Sequence, residues 1–557
     1  KGITKEQITR AMRNTKKAGI MSKAYIMVGT LFETKESLKE TLNYILKLDI
    51  DLLTVNHFTP YPGTLDYERA DRFGYFERDW KMLNEHNAVF IPTGLAKEDI
   101  EFYITEITKR FYLKPRVMFN FIKLAFNPSH FKLLFNGFVA FVRFLLRGHS
   151  GFENYAIPRG RVYSAKGIFI KALTAFIKGK MLEGEDIGRF EEQFANYIGA
   201  KYAISTYSGT LALCLCLEVL GIKDGDEVIL PAYIVPEVIE AVVNHKAIPV
   251  FIDINPETYN INPELIEEKI NKRTKAILMA HMYGQPCGIE RILRIAQRYN
   301  LKVIEDCAQA CGAGYKKKKV GNFGDIAYFS FSIIKNMNTL GGGMIVTNNS
   351  ELAKMISKET ARYSCPKKAE LIKKYILVSL TAFFTKKIIF TFTVYPFLLF
   401  LNLINNGFLY NFLRGNKKSD PDMKGISTDK YRLRYANLQA IIGLQQFKTL
   451  EENNRVRIKN ARLFNEALKG NNMDYPKTIS DVENIYLNYA IRVDKREKVI
   501  KALLLSGVDT TNGYILSFGG AYFSGLLAEK NIYLPIHYPL HKQTVSKIIK
   551  IIKAGQV

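Results

Sequence analysis

The first 113 residues alternate between helical and extended patterns of hydrophobic positions. EQITRAMRNTKKAGI and KESLKETLNYILKL place apolar residues at helical spacing. SKAYIMVGT and DLLTVNHFTP are short apolar runs with the length and composition of strands. Because regular strand–helix alternation is typical of parallel α/β structure, we predict such a fold for residues 1–113.

A second α/β pattern covers residues 165–365. VILPAYIVPEVIEAVV predicts a strand followed by a helix, and KVIEDCAQACGAGY opens with an apolar strand. Residues 426–557 are rich in helical patterns, beginning with ANLQAIIGLQQFKTLEENNRVRIKNARLFNEAL. We therefore predict a large α/β domain over 165–365 and a smaller C-terminal domain over 426–557.

Two further segments, 114–164 and 366–425, combine apolar blocks with basic residues. The second holds ten Lys or Arg and three acids. Such dense apolar blocks do not fit a nucleic-acid groove, and we predict no nucleic-acid partner. They are typical of helices on an anionic membrane surface, which is the role we predict. Packing on the protein's own core or on a partner subunit is the first alternative, and a membrane span is the second.

Composition adds three expectations. The net charge of +26 calls for an anionic partner and agrees with a membrane surface. Six Cys in 557 residues are too few for a disulfide framework, so we expect a cytoplasmic protein, peripheral on the inner face of the membrane. The sequence begins at Lys1 rather than Met, so we expect it to be truncated, with processing as the alternative.

Several predicted strands and turns carry polar residues that would meet at one edge of a sheet, beyond the carboxyl ends of its strands. The turn SGT opens a helix, whose free N–H groups could bind phosphate. The run VIEDCAQ supplies a carboxylate and an amide, and YFSFSIIK supplies a hydroxyl and a lysine. The candidate residues are Ser208, Gly209, Thr210, Asp306, Gln309, Ser330 and Lys335.

One cofactor uses all these groups. Pyridoxal phosphate needs a lysine for covalent attachment, an acid to keep its pyridine nitrogen protonated and an anion site for its phosphate. We expect a buried Asp306 beside a cation to stay ionised. We expect Lys335, in an apolar pocket, to have a lowered pKa and to be nucleophilic.

Residues 165–557 resemble the DegT/DnrJ/StrS family of pyridoxal-phosphate sugar aminotransferases. The resemblance rests on SGTLAL, GDEVILPAY, RTKAILMAHMYGQP, VIEDCAQACGA, VGNFGDIAYFSFSIIKN, GGGMIVTNN, NLQAIIGLQQ and LPIHYPL, which occur in the family order. It implies the type I aminotransferase fold, three α/β/α layers with a smaller C-terminal domain, and active sites at a homodimer interface. The implied substrates are an amino-acid donor such as glutamate and a keto-sugar, which we expect to be linked to a nucleotide.

The resemblance also implies roles for individual residues. Lys335 binds the cofactor and moves protons, and Asp306 pairs with the pyridine nitrogen. Gln309 lies near the ring oxygen. Ser330 holds the phosphate together with the SGT turn. Arg432 stands where the family often has an asparagine that binds phosphate from the neighbouring subunit.

Residues 1–113 resemble the C-terminal half of a radical S-adenosylmethionine barrel of the cobalamin-binding kind. AYIMVGTLFETKESLKETLNYI and HFTPYPGTLDYERA carry the resemblance, and Gly29 and Glu33 match a strand-end motif that helps to hold S-adenosylmethionine. The Cys-x3-Cys-x2-Cys loop of that family is absent from the sequence, since Cys307 and Cys311 are followed by Gly314. We therefore expect an iron–sulfur cluster and S-adenosylmethionine only if a missing N-terminal part is present.

The function we predict is a pyridoxal-phosphate aminotransferase that aminates a keto-sugar for an envelope polysaccharide or glycolipid. The alternatives are a radical enzyme in the full-length parent and a non-catalytic sensor that keeps the cofactor fold. The histidines lack zinc-like spacing, so we predict no metal site and expect core or surface roles for His281, His537 and His541.

Overall fold

The computed structural model divides into two compact units, Lys1–Phe141 and Val142–Val557. The described residues are 2–78, 89–112, 114, 116–117, 155–163, 165, 167–403, 432–470, 473–512 and 515–556. Most of the predicted basic segment 114–164, and the end of the segment 366–425, lie outside these residues.

The first unit has the strand–helix alternation that the sequence predicts. Its elements are α1 (Lys5–Lys17), β1 (Lys23–Val28), α2 (Lys35–Lys47), β2 (Leu52–His57), α3 (Leu65–Arg69), β3 (Gly74–Phe76), β4 (Phe90–Pro92) and α4 (Lys97–Tyr112). Strands β1 and β2 pair in parallel, and α2 connects them. Leu38, Leu42 and Ile45 of α2 are buried in the core of this unit because they recur on one helical face. The radical-enzyme barrel stays a prediction.

The turn after β1 is closed by its own residues. Gly29 N–H and Thr30 N–H donate to the Glu33 carboxylate, at 2.5 and 3.0 Å. Gly29 has a φ of +85°, a conformation that favours glycine. Glu33 therefore shapes this turn, and its predicted role in holding S-adenosylmethionine stays a prediction.

The second unit is built on a seven-stranded sheet. Its strands are β5 (Tyr202–Thr206), β6 (Glu227–Pro231), β8 (Ile248–Ile252), β9 (Thr274–Ala280), β10 (Lys302–Asp306), β13 (Ile326–Ser330) and β14 (Gly343–Thr347). They lie in the order β5-β14-β13-β10-β9-β6-β8. Strand β14 runs antiparallel to the other six, which are parallel to one another. The carboxyl ends of the other strands therefore meet at one edge of the sheet.

Helices cover both faces of this sheet, so the strands are apolar on both sides. Leu230 and Leu278 belong to one core cluster, and Ile229 and Ile277, one residue earlier on the same strands, belong to the other. The helices of the unit are α5 (Ile168–Ile177), α6 (Asp186–Ile198), α7 (Gly209–Val219), α8 (Pro236–Asn244), α9 (Ile289–Arg298), α10 (Ser350–Ala361), α11 (Lys368–Phe384), α12 (Lys387–Phe392), α13 (Val394–Leu403), α14 (Asn437–Leu468), α15 (Arg496–Leu505), α16 (Tyr522–Lys530) and α17 (Lys542–Gln556).

Helix α14 joins the sheet to the C-terminal elements. It has 32 residues and is about 48 Å long. Ala440 and Leu450 pack in a cluster of the central sheet, whereas Ala461 and Phe464 pack in a separate C-terminal cluster. The remaining short strands are β7 (Tyr233–Ile234), β11 (Gly314–Tyr315), β12 (Lys318–Lys319), β15 (Val482–Glu483), β16 (Tyr489–Arg492), β17 (Leu516–Ser517) and β18 (Asn531–Leu534).

The described part of the basic segment 366–425 forms α11, α12 and α13. Tyr395, Leu398 and Leu399 of α13 are buried against Leu504, which is the arrangement of the first alternative, packing on the protein's own core. Helix α11 instead exposes several large apolar side chains. Across the described ranges, every helix is too short or too polar to cross a bilayer.

Candidate active site

The predicted site residues of the second unit lie at the carboxyl edge of the central sheet. Asp306 ends β10 and Ser330 ends β13, and the register of these parallel strands places Asp306 opposite Tyr328. Ser208 is the N-cap of α7, directly after β5. Lys335 follows β13 in a turn, and its charge acts on the Asp306 carboxyl. Three strand ends thus bring together the groups that the sequence predicts.

The start of α7 and the end of β13 are in contact. A Cβ atom at Gly209 would lie 2.8 Å from Ser330 Cβ and 3.0 Å from Ser330 Oγ, so only glycine fits there. Ser208 Oγ accepts the N–H of Leu211 at 3.0 Å and keeps its own proton to donate. The N–H groups of Gly209 and Thr210 open the helix, where no intrahelical acceptor exists for them. This geometry is suited to a phosphate.

Gly343 completes this contact, and sequence reasoning assigned it no role. A Cβ atom there would lie 2.8 Å from both the Ser208 and the Phe329 carbonyl oxygens. Gly343 pairs with Thr206 on one side and with Ser330 on the other. Of the three glycines at 341–343, this one lies in close contact with the backbone of Ser208 and Phe329, beside the candidate phosphate site. The GGG run was the available signal, but the sequence does not say which backbone approaches it.

The Asp306 side chain is buried. Its Oδ1 accepts the N–H of Ala308 at 2.9 Å. Burial raises the pKa of the Asp306 carboxyl, while this hydrogen bond and the charge of Lys335 lower it. In the chain alone the burial effect is the larger, so the pKa of Asp306 lies above its ordinary value. A cation at the carboxylate favours the ionised form, and a protonated pyridine nitrogen is such a cation.

Lys335 is half-buried in the single chain, and the apolar pocket expected around it stays a prediction. Strand β13 ends at Ser330, and Lys335 lies in the turn that follows, where its backbone N–H donates to the Ser332 carbonyl oxygen at 3.0 Å. The next residue, Asn336, is buried and donates to the Cys311 carbonyl at 2.6 Å and to Asn454 at 3.2 Å. The turn that carries the lysine is thereby tied to α14.

Gln309 lies beside the same edge. Its Oε1 accepts the N–H of Tyr283 at 3.1 Å, and its Nε2 is 3.9 Å from the sulfur of Met282. A thioether is a weak acceptor, so this amide can donate more strongly to a ligand oxygen. Tyr283 has a φ of +57°, and its hydroxyl joins Tyr233 at 2.5 Å. Sequence reasoning missed this tyrosine pair because its two members lie 50 residues apart.

The side chain of Arg432 contacts residues outside the candidate phosphate site. Its guanidinium contacts the Tyr363 hydroxyl at 3.4 Å and the Glu359 carboxylate at 3.9 Å. Its charge also lowers the pKa of Cys214, which burial raises to about 11. Cys214 is in the middle of α7, not at its N-terminal start. A phosphate role for Arg432 therefore needs the neighbouring subunit, as the resemblance implies, and stays a prediction.

The buried side chain of His281 is held by hydrogen bonds to its neighbours. Its Nδ1 accepts the N–H of Cys287 at 3.2 Å, and its Nε2 is 3.3 Å from the Glu305 carboxylate. The Glu305 carboxylate also accepts backbone N–H groups of residues 321, 323 and 324. His281, Glu305 and Cys307 have ligand atoms within 4.8 Å of one another, but these hydrogen bonds already use the carboxylate. The network fixes β10 directly before Asp306.

These residues fit pyridoxal phosphate. The closed contact between Gly209 and Ser330 leaves only backbone N–H groups and hydroxyls at the helix start, which suits a phosphate. The desolvated Asp306 carboxylate suits a cationic ring nitrogen, and Lys335 is near enough to influence it electrostatically. The amide of Gln309 suits an oxygen substituent of the ring.

Comparison with known proteins agrees with this interpretation. The chain is 34% identical over 368 residues to the dTDP-3-amino-3,6-dideoxy-alpha-D-galactopyranose transaminase of Aneurinibacillus thermoaerophilus, covering 66% of this chain and 79% of that enzyme. It is 52% identical over 168 residues to an uncharacterized protein of Methanocaldococcus jannaschii. That second match covers 30% of this chain and 44% of the relative, less than half of its length.

The solved structure of the E coli GDP-4-keto-6-deoxy-D-mannose-3-dehydratase with bound hydrated PLP matches with a TM-score of 0.56 at 19% identity, over 72% of this chain and 99% of that one. This likeness confirms the predicted type I fold of the second unit. The model of the DegT/DnrJ/EryC1/StrS aminotransferase family matches residues 165–373 and 414–553, more than half of the chain. The chain therefore belongs to the DegT/DnrJ/EryC1/StrS aminotransferase family.

Proposed function

We propose that the chain uses pyridoxal phosphate to transfer an amino group from an amino acid, such as glutamate, to a nucleotide-linked keto-sugar. The observation that carries this proposal is the convergence of Lys335, Asp306 and Ser330 at one sheet edge. A nucleotide-linked sugar occurs in the name of the A. thermoaerophilus transaminase, which supports this substrate class. We further propose that the protein is a homodimer and serves envelope polysaccharide or glycolipid synthesis.

Each residue of the proposed site has its own role in the reaction. When bound, pyridoxal phosphate supplies the electron sink that stabilises the charge left on the donor's α-carbon. Lys335 Nζ holds the cofactor and moves the proton that leaves the α-carbon. The Asp306 carboxylate keeps the pyridine nitrogen protonated. Gly209 and Ser330 bind the phosphate and so fix the ring against the lysine.

Two other functions are weighed against this one. In the family that the sequence resembles, dehydratases carry a histidine in place of the lysine, so Lys335 favours amino transfer. A non-catalytic sensor would keep the cofactor site without turnover, and the intact Lys335, Asp306 and Ser330 weigh against it. The first unit keeps its separate prediction of a radical enzyme in a longer parent protein.

The test is the half-reaction read from the absorbance of the bound cofactor. The full chain is loaded with pyridoxal phosphate and mixed with candidate amino acids, then with nucleotide-linked keto-sugars. We expect an active donor to change the cofactor absorbance and a keto-sugar to restore it. In Lys335→Ala we expect neither absorbance change on the time scale of the wild type. The rate of the half-reaction should fall by about a thousandfold or more, because the group that moves the proton is lost.

Two comparisons make the result specific. Asp306→Asn keeps the lysine but no longer holds the ring nitrogen protonated, so we expect slow donor half-reactions with the cofactor still bound. Met355→Ser, at an exposed position of α10, is the matched control and leaves the kinetics unchanged. A loaded wild-type chain that responds to no amino donor would favour the sensor function.

A further inference from the structure

Helix α5 turns an apolar face outward. Its buried side consists of the small or single apolar residues Ile168, Ala172 and Ala175. Its outward side carries five large apolar residues at positions i, i+1, i+4, i+7 and i+8, the spacing of one helical face. They are between 46% and 74% exposed: Phe169, Ile170, Leu173, Phe176 and Ile177. A helix on a water-exposed protein surface normally buries its apolar face and exposes its polar face.

Helix α11 repeats this arrangement with the same spacing. Leu371 and Ala382 are its buried residues. Five large apolar residues on the outward side, again at i, i+1, i+4, i+7 and i+8, are between 40% and 60% exposed. They are Ile376, Leu377, Leu380, Phe383 and Phe384. Two helices far apart in sequence thus share one unusual pattern.

The two helices are neighbours in the structure. Ile168 and Ala172 of α5 form a buried cluster with Leu371 of α11, and Tyr375 and Val378 pack against it. The exposed faces of both helices thus lie on helices that share one buried cluster, and their ten exposed side chains are here called the apolar double face. A region of this kind on a protein surface marks an interaction site.

Basic residues border the apolar double face. Lys171 and Lys178 are exposed beside the α5 residues, and Lys373 and Lys386 are exposed at the two ends of the α11 face. The acid within these helices, Glu370, is engaged by the Tyr207 hydroxyl at 2.6 Å and by Lys374. The charge around the face is therefore positive.

We propose that the apolar double face binds the surface of an anionic lipid bilayer. Apolar side chains enter the boundary between headgroups and acyl chains, and the bordering lysines pair with anionic headgroups. Helix α5 has 10 residues and α11 has 17, about 15 and 26 Å, so both lie along the surface rather than cross it. A second copy fits less well, because a two-fold interface would bring these lysines against each other.

The test is binding of the full chain to vesicles. Vesicles of phosphatidylcholine alone are compared with vesicles that also contain phosphatidylglycerol, at low and high salt. We expect binding to the anionic vesicles that salt weakens. The double variant Phe176→Ser/Leu380→Ser lowers the affinity about tenfold or more, because two large apolar side chains no longer enter the lipid. Lys178→Glu/Lys373→Glu lowers it about fivefold or more and only on anionic vesicles.

Controls separate lipid binding from dimerisation and from loss of folding. Tyr522→Ser removes a side chain that is 71% exposed on α16, outside the face, and leaves vesicle binding unchanged. All substituted residues are exposed, and unfolding curves check that the variants remain folded. Wild-type protein that ignores anionic vesicles overturns the proposal. Face variants that dissociate a dimer while vesicle binding stays the same also overturn it, because the face is then a subunit interface.

Discussion

At the scale of single residues, the site depends on close backbone approach as much as on charge. Gly209 and Gly343 allow the start of α7, the end of β13 and β14 to come together around Ser330. The burial of Asp306 opposes its charge, so this carboxylate gains most from a cationic partner. In the proposed site the lysine supplies the reactive atom, and the close backbone contacts at the two glycines limit where a phosphate could lie.

We expect Gly209→Ala to damage the site more than the small change suggests. The new methyl group would lie 2.8 Å from Ser330 Cβ, so the strand end must move. The free energy of unfolding should fall by about 1–3 kcal/mol, and the affinity for pyridoxal phosphate by about tenfold or more. Urea unfolding and cofactor titration measure the two effects.

The matched control is Gly188→Ala in α6, where a Cβ atom meets open space. Alanine favours a helix interior over glycine, so this variant should be neutral or more stable by up to about 1 kcal/mol. Equal effects of the two substitutions would contradict the steric role of Gly209.

At the scale of elements, α14 connects the lysine turn to the C-terminal part of the unit. Asn454 of α14 contacts Asn336, next to Lys335, and accepts from the buried Arg457 at 3.0 Å. Arg457 Nε donates to His537 Nδ1 at 3.4 Å. Burial and the charges of Arg457 and Arg161 lower the pKa of His537 to about 3. His537 is therefore a neutral acceptor in the folded protein.

This environment predicts a loss of stability in acid. Unfolded His537 takes up a proton near pH 6.5, whereas the folded protein resists it down to about pH 3. Its contribution is fully present above about pH 6.5 and falls by up to about 1.4 kcal/mol for each pH unit below that value. His537→Gln removes this titration, so wild type and variant should converge in stability as pH falls.

Urea unfolding at several pH values tests the convergence. His541→Gln, at an exposed position four residues away, is the matched control. The free energy of unfolding of this variant should change with pH in the same way as that of the wild type. A constant difference between wild type and His537→Gln across this range would contradict the buried neutral histidine.

At the scale of the whole molecule, the candidate site lies within one unit. All its residues fall in Val142–Val557, which has its own sheet and core clusters. We expect the chain without residues 1–141 to fold and to bind pyridoxal phosphate within about twofold of the full chain, because a domain with its own core can fold alone. Cofactor titration and thermal unfolding measure this.

The opposite result is equally informative. A shortened chain that is insoluble or fails to bind the cofactor would contradict the independent folding of the second unit. Truncation at residue 167, which also removes Tyr163, serves as a comparison. The Tyr163 hydroxyl donates to the His537 carbonyl at 3.1 Å, and its backbone carbonyl accepts from Gln446 at 2.8 Å, so its loss should destabilise even an otherwise independent unit.

Local sequence patterns were enough to predict the α/β alternation and the family, and they supplied the residues proposed for the site. Hydrophobic spacing dictates which face of each element is buried, and SGT, Asp306 and Lys335 carry chemistry that their neighbours reveal. The folded chain was needed to show how far Lys335 is buried and which glycine lies against Ser208 and Phe329. It was also needed to show that α13 packs inward while α11 exposes its apolar face. The physical reason is that burial depends on partners distant in sequence, such as Leu504 for α13, which a local pattern does not contain.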